Sequence, residues 1–472
     1  MAKKDFPGIH FYDQDFVDVY DQTWAWIEEY WQSGTPSNGL QQKFLNHPDS
    51  ETIDQLESTL ATFFLVYSNR IYPCIPQLDS FYGKQEANGA IRWKYRVDDG
   101  TPVLTDENPE GVGLPLFAWA ELNLFHKIGN KKRIKEIMPV LQNYFSWLEA
   151  TFKADNDLYK VPLAATGMIN SPRKDGVYHM DFNMAMAVNA WYMSELGDIL
   201  NDREISFHYK RQYFSLKTKI NQLMWNEQDG FYYDLNEKEE QVRVKHIGGF
   251  WSFLAMLPND AKAEKLLEHL KNPDTFGTPN PFPSLAANEP DFDETGNGWR
   301  GSVFPYLTFI VIKGLEKYGF YDLARESSIR HFYYLLDTLH PEGKRGSVWE
   351  AYRPTKEGPA VWHDHPEFPR QQFLPWIGLS TITLMIENII GLAVSLPRKT
   401  VDWIVPTLEV MGIDNLSLKR NLITILSSKS NRGWEIRLES EKLYYFTIDI
   451  IGDKKKTLPI PSGKCSMLID KL

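Results

Sequence analysis

The chain has 472 residues, 43% hydrophobic and 24% charged, the balance of a globular protein with one large core and room for a small companion domain. A net charge of −11 argues against a nucleic-acid groove, which needs clustered Lys and Arg; the run Lys454-Lys455-Lys456 reads as a solvated turn. No stretch reaches the roughly 18 apolar residues of a membrane span, and two distant cysteines, Cys74 and Cys465, exclude a disulfide framework and disfavour a cysteine zinc site.

The first residues, Met1 to Phe6, lack an apolar leader, so the expectation is a soluble cytoplasmic protein, or a periplasmic one whose leader has been removed. Aromatic content is high, 14% with 15 Trp and 23 Tyr. That fits a large aromatic core, and equally a sugar site in which flat rings stack on pyranose faces.

In chain order, helical spacing of apolar residues predicts helices near 54–69, 115–127, 131–152, 184–200, 206–224, 248–257, 260–270, 303–317, 321–339 and 379–394. About a dozen helices, mostly paired as hairpins, imply a mainly α fold, an (α/α)6 toroid over residues 1–396. Two long loops, 271–299 and 341–375, hold Pro, Gly, His, Trp and Asp and are where a site is expected. Beyond Pro397 the period becomes two: Trp434, Ile436 and Leu438, then Phe446, Ile448 and Ile450, with a turn over Glu439–Lys442. Residues 397–472 therefore read as a small antiparallel, sandwich-like β-domain.

Five clusters carry chemistry-bearing residues. The first is Asp79, Phe81, Tyr82, Lys84 and Gln85, running on to Arg92. The second is Asn170 and Arg173, followed by Asp175, His179 and Asp181. The third is Trp299, Arg300 and Gly301; the fourth Trp349, Glu350 and Tyr352; the fifth Trp362, His363 and His365, with Trp376 after it. Glycoside hydrolysis needs this mixture: one carboxyl to protonate the leaving oxygen, a second carboxylate to act on water or the sugar, polar groups to hold hydroxyls, and Trp as a wall. Bland roles compete, with Asp79 and Asp181 as helix caps and Arg300 as an ion-pair partner. His363-x-His365 has too short a spacing, and no second cluster, for a metal site, so no metal is expected.

At these residues the chain resembles the trehalase-like (α/α)6 glycosidases, glycoside hydrolase family 63 and the mannosylglycerate-hydrolase-like group. The stretch Asp79–Arg92 resembles the group's entry motif, and Leu114-Pro115-Leu116-Phe117-Ala118-Trp119-Ala120 a helix start. Trp225 to Asp234, Pro283-Ser284-Leu285, Trp299-Arg300-Gly301-Ser302-Val303-Phe304-Pro305 and Trp349-Glu350-Ala351-Tyr352-Arg353-Pro354 resemble later motifs. The resemblance implies that Glu350 is the base of an inverting hydrolase, that Trp299 and Arg300 touch sugar, and that no cofactor is needed.

One departure stands out. The group's acid belongs to a motif of the type S-G-M-D-N-x-P-R, and here Thr166-Gly167-Met168-Ile169-Asn170-Ser171-Pro172-Arg173 puts Ile169 at the acid position. Asp175, then Asp181 or His179, are the nearest replacements. The expected partner is a short α-linked saccharide or glycoside, with no nucleic acid and no membrane. The competing functions are a non-hydrolytic sugar-binding protein on the same scaffold, and an α/α-toroid lyase or epimerase using His179, His363 or His365.

Overall fold

Two kinds of helix alternate along the chain. One kind carries a single apolar stripe; the other is apolar nearly all round and has to be enclosed by protein. In the computed structural model, which describes residues 6–68, 70–339, 346–405, 409–418, 421–431, 433–441, 446–452 and 455–469, the striped helices are α1 (Gln14–Glu29), α3 (Ile75–Tyr82), α5 (Lys131–Phe152), α7 (Arg203–Leu223), α9 (Asp260–Lys271) and α11 (Tyr321–Leu339). Enclosed between them in sequence are α2 (Gln55–Leu65), α4 (Phe117–Ile128), α6 (Met180–Leu200), α8 (Trp251–Leu254), α10 (Pro305–Lys317) and α12 (Leu374–Gly378, continuing through Leu379–Ile389). The enclosed helices touch in the order α2, α4, α6, α8, α10, α12 and back to α2, closing a ring inside the striped ones. This is the (α/α)6 toroid expected from the sequence.

Local chemistry sets the helix starts. Asp13, Asp54, Asn130, Asp202 and Asn259 each cap a helix by accepting backbone N–H groups of its first turn. Pro sits in the first turn of α3, α10 and α12, where no amide hydrogen is needed. The expected windows all contain helix, but α1 and α3 were not among them. The first has many charged residues between its apolar positions, and the second, only eight residues long with Pro76 in its first turn and Gly83 directly after it, reads as a loop.

The inner helices share one polarity. Asp54 and Glu57 at the start of α2, Leu114 just ahead of α4, Phe304 and Tyr306 at the start of α10, and Trp376 early in α12 line one cavity. Phe63, Trp119, Lys313 and Glu387, further along the same helices, line a second. The ring therefore has two unlike ends.

The β-region forms two sheets. Strands β1 (Gly8–His10), β2 (Leu392–Ser395), β3 (Thr400–Ile404), β4 (Met411–Leu418), β5 (Asn421–Ser430), β6 (Gly433–Ser440), β7 (Thr447–Ile451), β8 (Lys455–Pro459) and β9 (Gly463–Ile469) pair in the orders β1-β4-β5-β6-β9 and β2-β3-β7-β8. Pairing is antiparallel except between β3 and β7. Ile436 and Leu438 are buried, and Ile448 and Ile450 likewise, as their alternation predicts. Two strands, β1 and β2, lie on the N-terminal side of Pro397. Lys442 of the expected turn, Lys454 of the basic run and residues 341–345 of the long loop fall outside the described residues.

At the centre of the ring, Phe309 on α10 meets Phe63 of α2 edge-on at 5.3 Å and Trp119 of α4 at 5.9 Å. Phe309→Ala would empty this junction, at an expected cost of about 3–5 kcal/mol. Urea unfolding should show it as a lower midpoint with an unchanged slope.

Candidate active site

The cavity at the N-terminal ends of the inner helices offers about 190 Å³. Its aromatic walls are Trp93, Trp299, Phe304, Tyr306 and Trp376, and its charged groups are Asp54, Glu57, Lys94, Glu350 and Arg370. Trp376 stacks on Tyr306 at 4.4 Å, and Trp299 on Phe304 at 4.9 Å and 14°. These stacks fix the ring planes that face the cavity.

Glu350 is positioned by extended backbone. The chain around Tyr352 pairs with Val303, and Trp349 with Gln371. The Tyr352 hydroxyl accepts from the Trp349 amide at 2.8 Å. The Glu350 N–H donates to the Arg370 carbonyl, and the Arg370 N–H returns to Glu350 Oε2 at 3.2 Å. The guanidinium closes the fork, Nη2 to Oε1 at 2.7 Å and Nε to Oε2 at 2.9 Å. Glu350 is 8% exposed and stands on the cavity wall. The Arg370 guanidinium in turn lies 3.7 Å from the Phe373 ring centroid.

A second carboxyl reaches the same guanidinium. Glu57 Oε1 is 3.4 Å from Arg370 Nη2, with its side chain 13% exposed. Glu57 owes its place to the start of α2: Asp54 Oδ1 accepts from the Leu56 and Glu57 amides at 2.8 and 3.1 Å, and the first turn aims Glu57 into the cavity. Burial pushes the Glu57 carboxyl up to about 7, against the opposing pull of Arg370. Neither Glu57 nor Arg370 stands out in the sequence. The only signal is Asp54-x-x-Glu57, a pattern that reads as helix capping.

The acid-position segment forms the facing wall. Thr166, Gly167 and Ile169 line the cavity, and Ile169 is 49% exposed. Asn170 ties this segment to the third cluster: its Nδ2 donates to the Asn297 carbonyl at 2.9 Å, and its Oδ1 accepts from the Trp299 amide at 2.7 Å. Gly298 has φ +63, and a Cβ there would come within 2.7 Å of the Asn170 amide, so only glycine fits this staple. Arg300 turns away, with Nε on the Asn170 carbonyl and Nη1 3.4 Å from Asp291. Gly301 donates to Ser284 Oγ at 3.1 Å.

The other expected residues are placed elsewhere. Asp175 is exposed on a turn and is not on the cavity wall. Asp181, within the first turn of α6 and not its cap, is sealed against Arg173 at 3.0 and 2.7 Å. Arg173 also holds Asp234 and Thr166, and His179 binds Asp234 at 2.7 Å. This buried cluster braces the wall through Thr166 and does not face the cavity.

The first cluster belongs to the framework. Asp79, inside α3 and not at its cap, pairs with Arg133 at 2.9 Å. Tyr82 donates to the buried Glu121, Lys84 to the carbonyls of Asn38 and Gly100, and Gln85 to that of Val140; Phe81 is core. Trp362 packs edge-on against Trp299 at 5.4 Å, one layer behind the wall. His363 pairs with Asp293 and His365 with Glu367, two separate carboxylates on exposed ground. His179, His363 and His365 are all absent from the cavity wall.

Burial alone would raise the Asp234 carboxyl, but Arg173 and His179 outweigh it and hold it well below the usual range. A depressed carboxylate contributes stability above its unfolded value of about 3.9 and loses it as pH falls below that. Asp234→Asn is expected to cost about 3–5 kcal/mol at pH 7 and to flatten the loss of stability in acid. Urea unfolding at pH 7 checks the first, and a series taken from about pH 4 downward, below the unfolded carboxyl value of about 3.9, checks the second.

Comparison with known proteins places the family and the fold. The mannosylglycerate hydrolase MGH1-like glycoside hydrolase domain matches residues 17–368, and the trehalase C-terminal domain matches residues 391–472. An uncharacterized protein of Borreliella burgdorferi is 50% identical over the whole of both chains. Two crystal structures share the fold. The glycoside hydrolase family 63 mannosylglycerate hydrolase of Thermus thermophilus, in complex with glucose, is 16% identical with a TM-score of 0.61, over 77% of this chain and 99% of that one. A family 78 rhamnosidase of a Bacillus species is 12% identical with a TM-score of 0.68, over 95% of this chain and 43% of that one. No described helix is long and apolar enough to cross a membrane. The chain belongs to the MGH1-like glycoside hydrolase family, a group of carbohydrate-active hydrolases.

Proposed function

We propose that this chain is an inverting glycoside hydrolase that cleaves a short α-linked saccharide or glycoside in the Glu350 cavity. The observation that carries the reading is a pair of unlike carboxyls on one aromatic-walled cavity. Glu350 is a carboxylate engaged by a guanidinium, while the Glu57 carboxyl is held near neutrality by burial. Trp299 and Trp376 supply faces for a sugar ring. Gln55 Oε1, buried on the same wall and without a hydrogen-bond partner among the described residues, is an acceptor for a sugar hydroxyl.

In this reading Glu57 replaces the acid lost at Ile169. Its proton passes to the leaving oxygen as the glycosidic bond breaks. For a water to attack the anomeric carbon from the opposite face and give its proton to Glu350, the two carboxyls, which share Arg370 Nη2, must part to the roughly 6.5–9.5 Å of an inverting pair. Both carboxyls reach Nη2 of Arg370. A bound sugar hydroxyl that takes over one of these bonds frees a Glu350 oxygen for the water.

A second reading, saccharide binding without turnover, is favoured by Ile169 and by the engagement of both Glu350 oxygens with Arg370. Turnover separates the two. Hydrolysis followed by proton NMR should release the inverted anomer first. Glu350→Gln should lower kcat by about 10²–10⁴-fold with little change in KM. Activity should fall as pH rises through about 7, where Glu57 loses its proton, and Glu57→Gln should remove that limb. A limb left in place by Glu57→Gln would clear Glu57 of the donor role. Ile169→Asp should raise kcat most on glycosides with poor leaving groups. Binding of saccharides with no cleavage in any variant would establish the second reading.

A further inference from the structure

The Glu350 cavity has two chemically unlike sides. Its charged groups, Asp54, Glu57, Lys94, Glu350 and Arg370, and the unpartnered acceptor Gln55 Oε1 come from the start of α2 and the segments packed beside it. None of them comes from residues 164–169, the facing wall.

That wall has no polar side chain to spare. Ala164, Ala165 and Gly167 carry none. The Thr166 hydroxyl donates to the Leu163 carbonyl at 2.8 Å and accepts from Arg173 at 2.9 Å and from the Met168 amide at 3.2 Å, which fills its capacity. Asn170, just beyond, is spent on Asn297 and Trp299. What the wall presents is Ile169, 49% exposed, close to Gly167, where an added Cβ would meet nothing within 4 Å. A single exposed isoleucine is ordinary on an outer surface. On a cavity wall it sets the chemistry of whatever lies against it.

Inversion sends the departing group toward the face of the sugar turned away from Glu350 and its water, which is toward this wall. Sugar hydroxyls there would give up water and gain no side-chain partner. An apolar group would gain by leaving water. The wall also lacks a carboxyl, so it favours a leaving oxygen that needs little protonation. A phenol, with a pKa of about 10, leaves far more readily than an alkyl alcohol, and its ring is flat and apolar.

We propose that the Glu350 cavity takes an aryl glycoside, its sugar on the charged side and its phenolic ring against Ile169 and over Gly167. The inference rests on Glu350 being the base of an inverting hydrolase. On cleavage, the bond from the anomeric carbon to the phenolic oxygen breaks with its electron pair on that oxygen. The water oxygen bonds to the carbon, one water proton passes to Glu350, and the phenolate takes its proton from Glu57.

Isothermal titration of the full chain tests this without turnover, using the hydrolysis-resistant phenyl and methyl 1-thio-α-D-glucopyranosides and 1-thio-α-D-mannopyranosides. With at least one of the two sugars, the phenyl compound should bind at least tenfold more tightly than the methyl one. Ile169→Ser should cut that ratio at least threefold, and Ile169→Leu should keep it. The half-exposed position makes both variants compatible with the fold. Equal affinities of phenyl and methyl compounds, a ratio unmoved by Ile169→Ser, or no binding of any of the four would overturn the proposal. Release of phenol from the oxygen-linked phenyl glycosides, followed in parallel, separates the two readings. A phenyl preference that depends on Ile169 without phenol release would sustain the aryl subsite and remove the hydrolase. Phenol release without that preference would do the reverse.

Discussion

The inner helices all run in one direction through the ring, and this shared polarity decides what each end of the molecule can hold. A helix start presents unsatisfied N–H groups and partial positive charge; a helix finish presents carbonyls and partial negative charge. The starting end therefore accommodates carboxylates: Asp54 caps α2, and Glu57 and Glu350 sit nearby. The finishing end collects lysines, with Lys127 and Lys317 in the last turns of α4 and α10. Packing enforces the arrangement, because α6 and α10 are buried on nearly every side and cannot be turned outward.

Within the starting end, Arg370 is the organising cation. It joins Glu350, carried by the extended segment after α11, to Glu57, carried by the first turn of α2, across almost 300 residues of sequence. Its attachment to Phe373 and its backbone exchange with Glu350 mean that the side chain is held from three directions. Behind the opposite wall, the Arg173 cluster does the same for Thr166, with every partner sealed from water. Two arginines of similar chemistry thus have different work: one faces the cavity, the other supports it.

Much of this was legible in the chain, for identifiable reasons. The long inner helices announce themselves by apolar periodicity, and the β-strands by alternation around Ile436 and Ile448. Trp299 and Glu350 sit in loops, and Trp376 just past one, whose aromatic and charged content is hard to explain as packing, and all three reach the cavity wall. Asp79, Tyr82 and Lys84 look alike in sequence yet are consumed by Arg133, Glu121 and backbone carbonyls, partners that only the fold brings near. Glu57 was hidden for the opposite reason, since a glutamate three residues after a capping aspartate has an ordinary local explanation. Asp175 and Asp181 lie near Ile169 in sequence, but the turn that carries the first faces solvent and Arg173 encloses the second.

The strand β1 has a consequence for how the molecule is made. Gly8–His10 pair with Gly412–Asp414, so this strand is bonded to a partner made roughly 400 residues later. At ordinary synthesis speeds of about 5–20 residues per second, the wait for that partner is on the order of half a minute. Throughout it, the edge of this strand has to stay unpaired or be shielded by α1, whose Tyr20 hydroxyl donates to the Pro7 carbonyl at 2.6 Å and is a local tether available early. A nascent chain halted before residue 412 would leave this strand without its partner and its edge open to other chains.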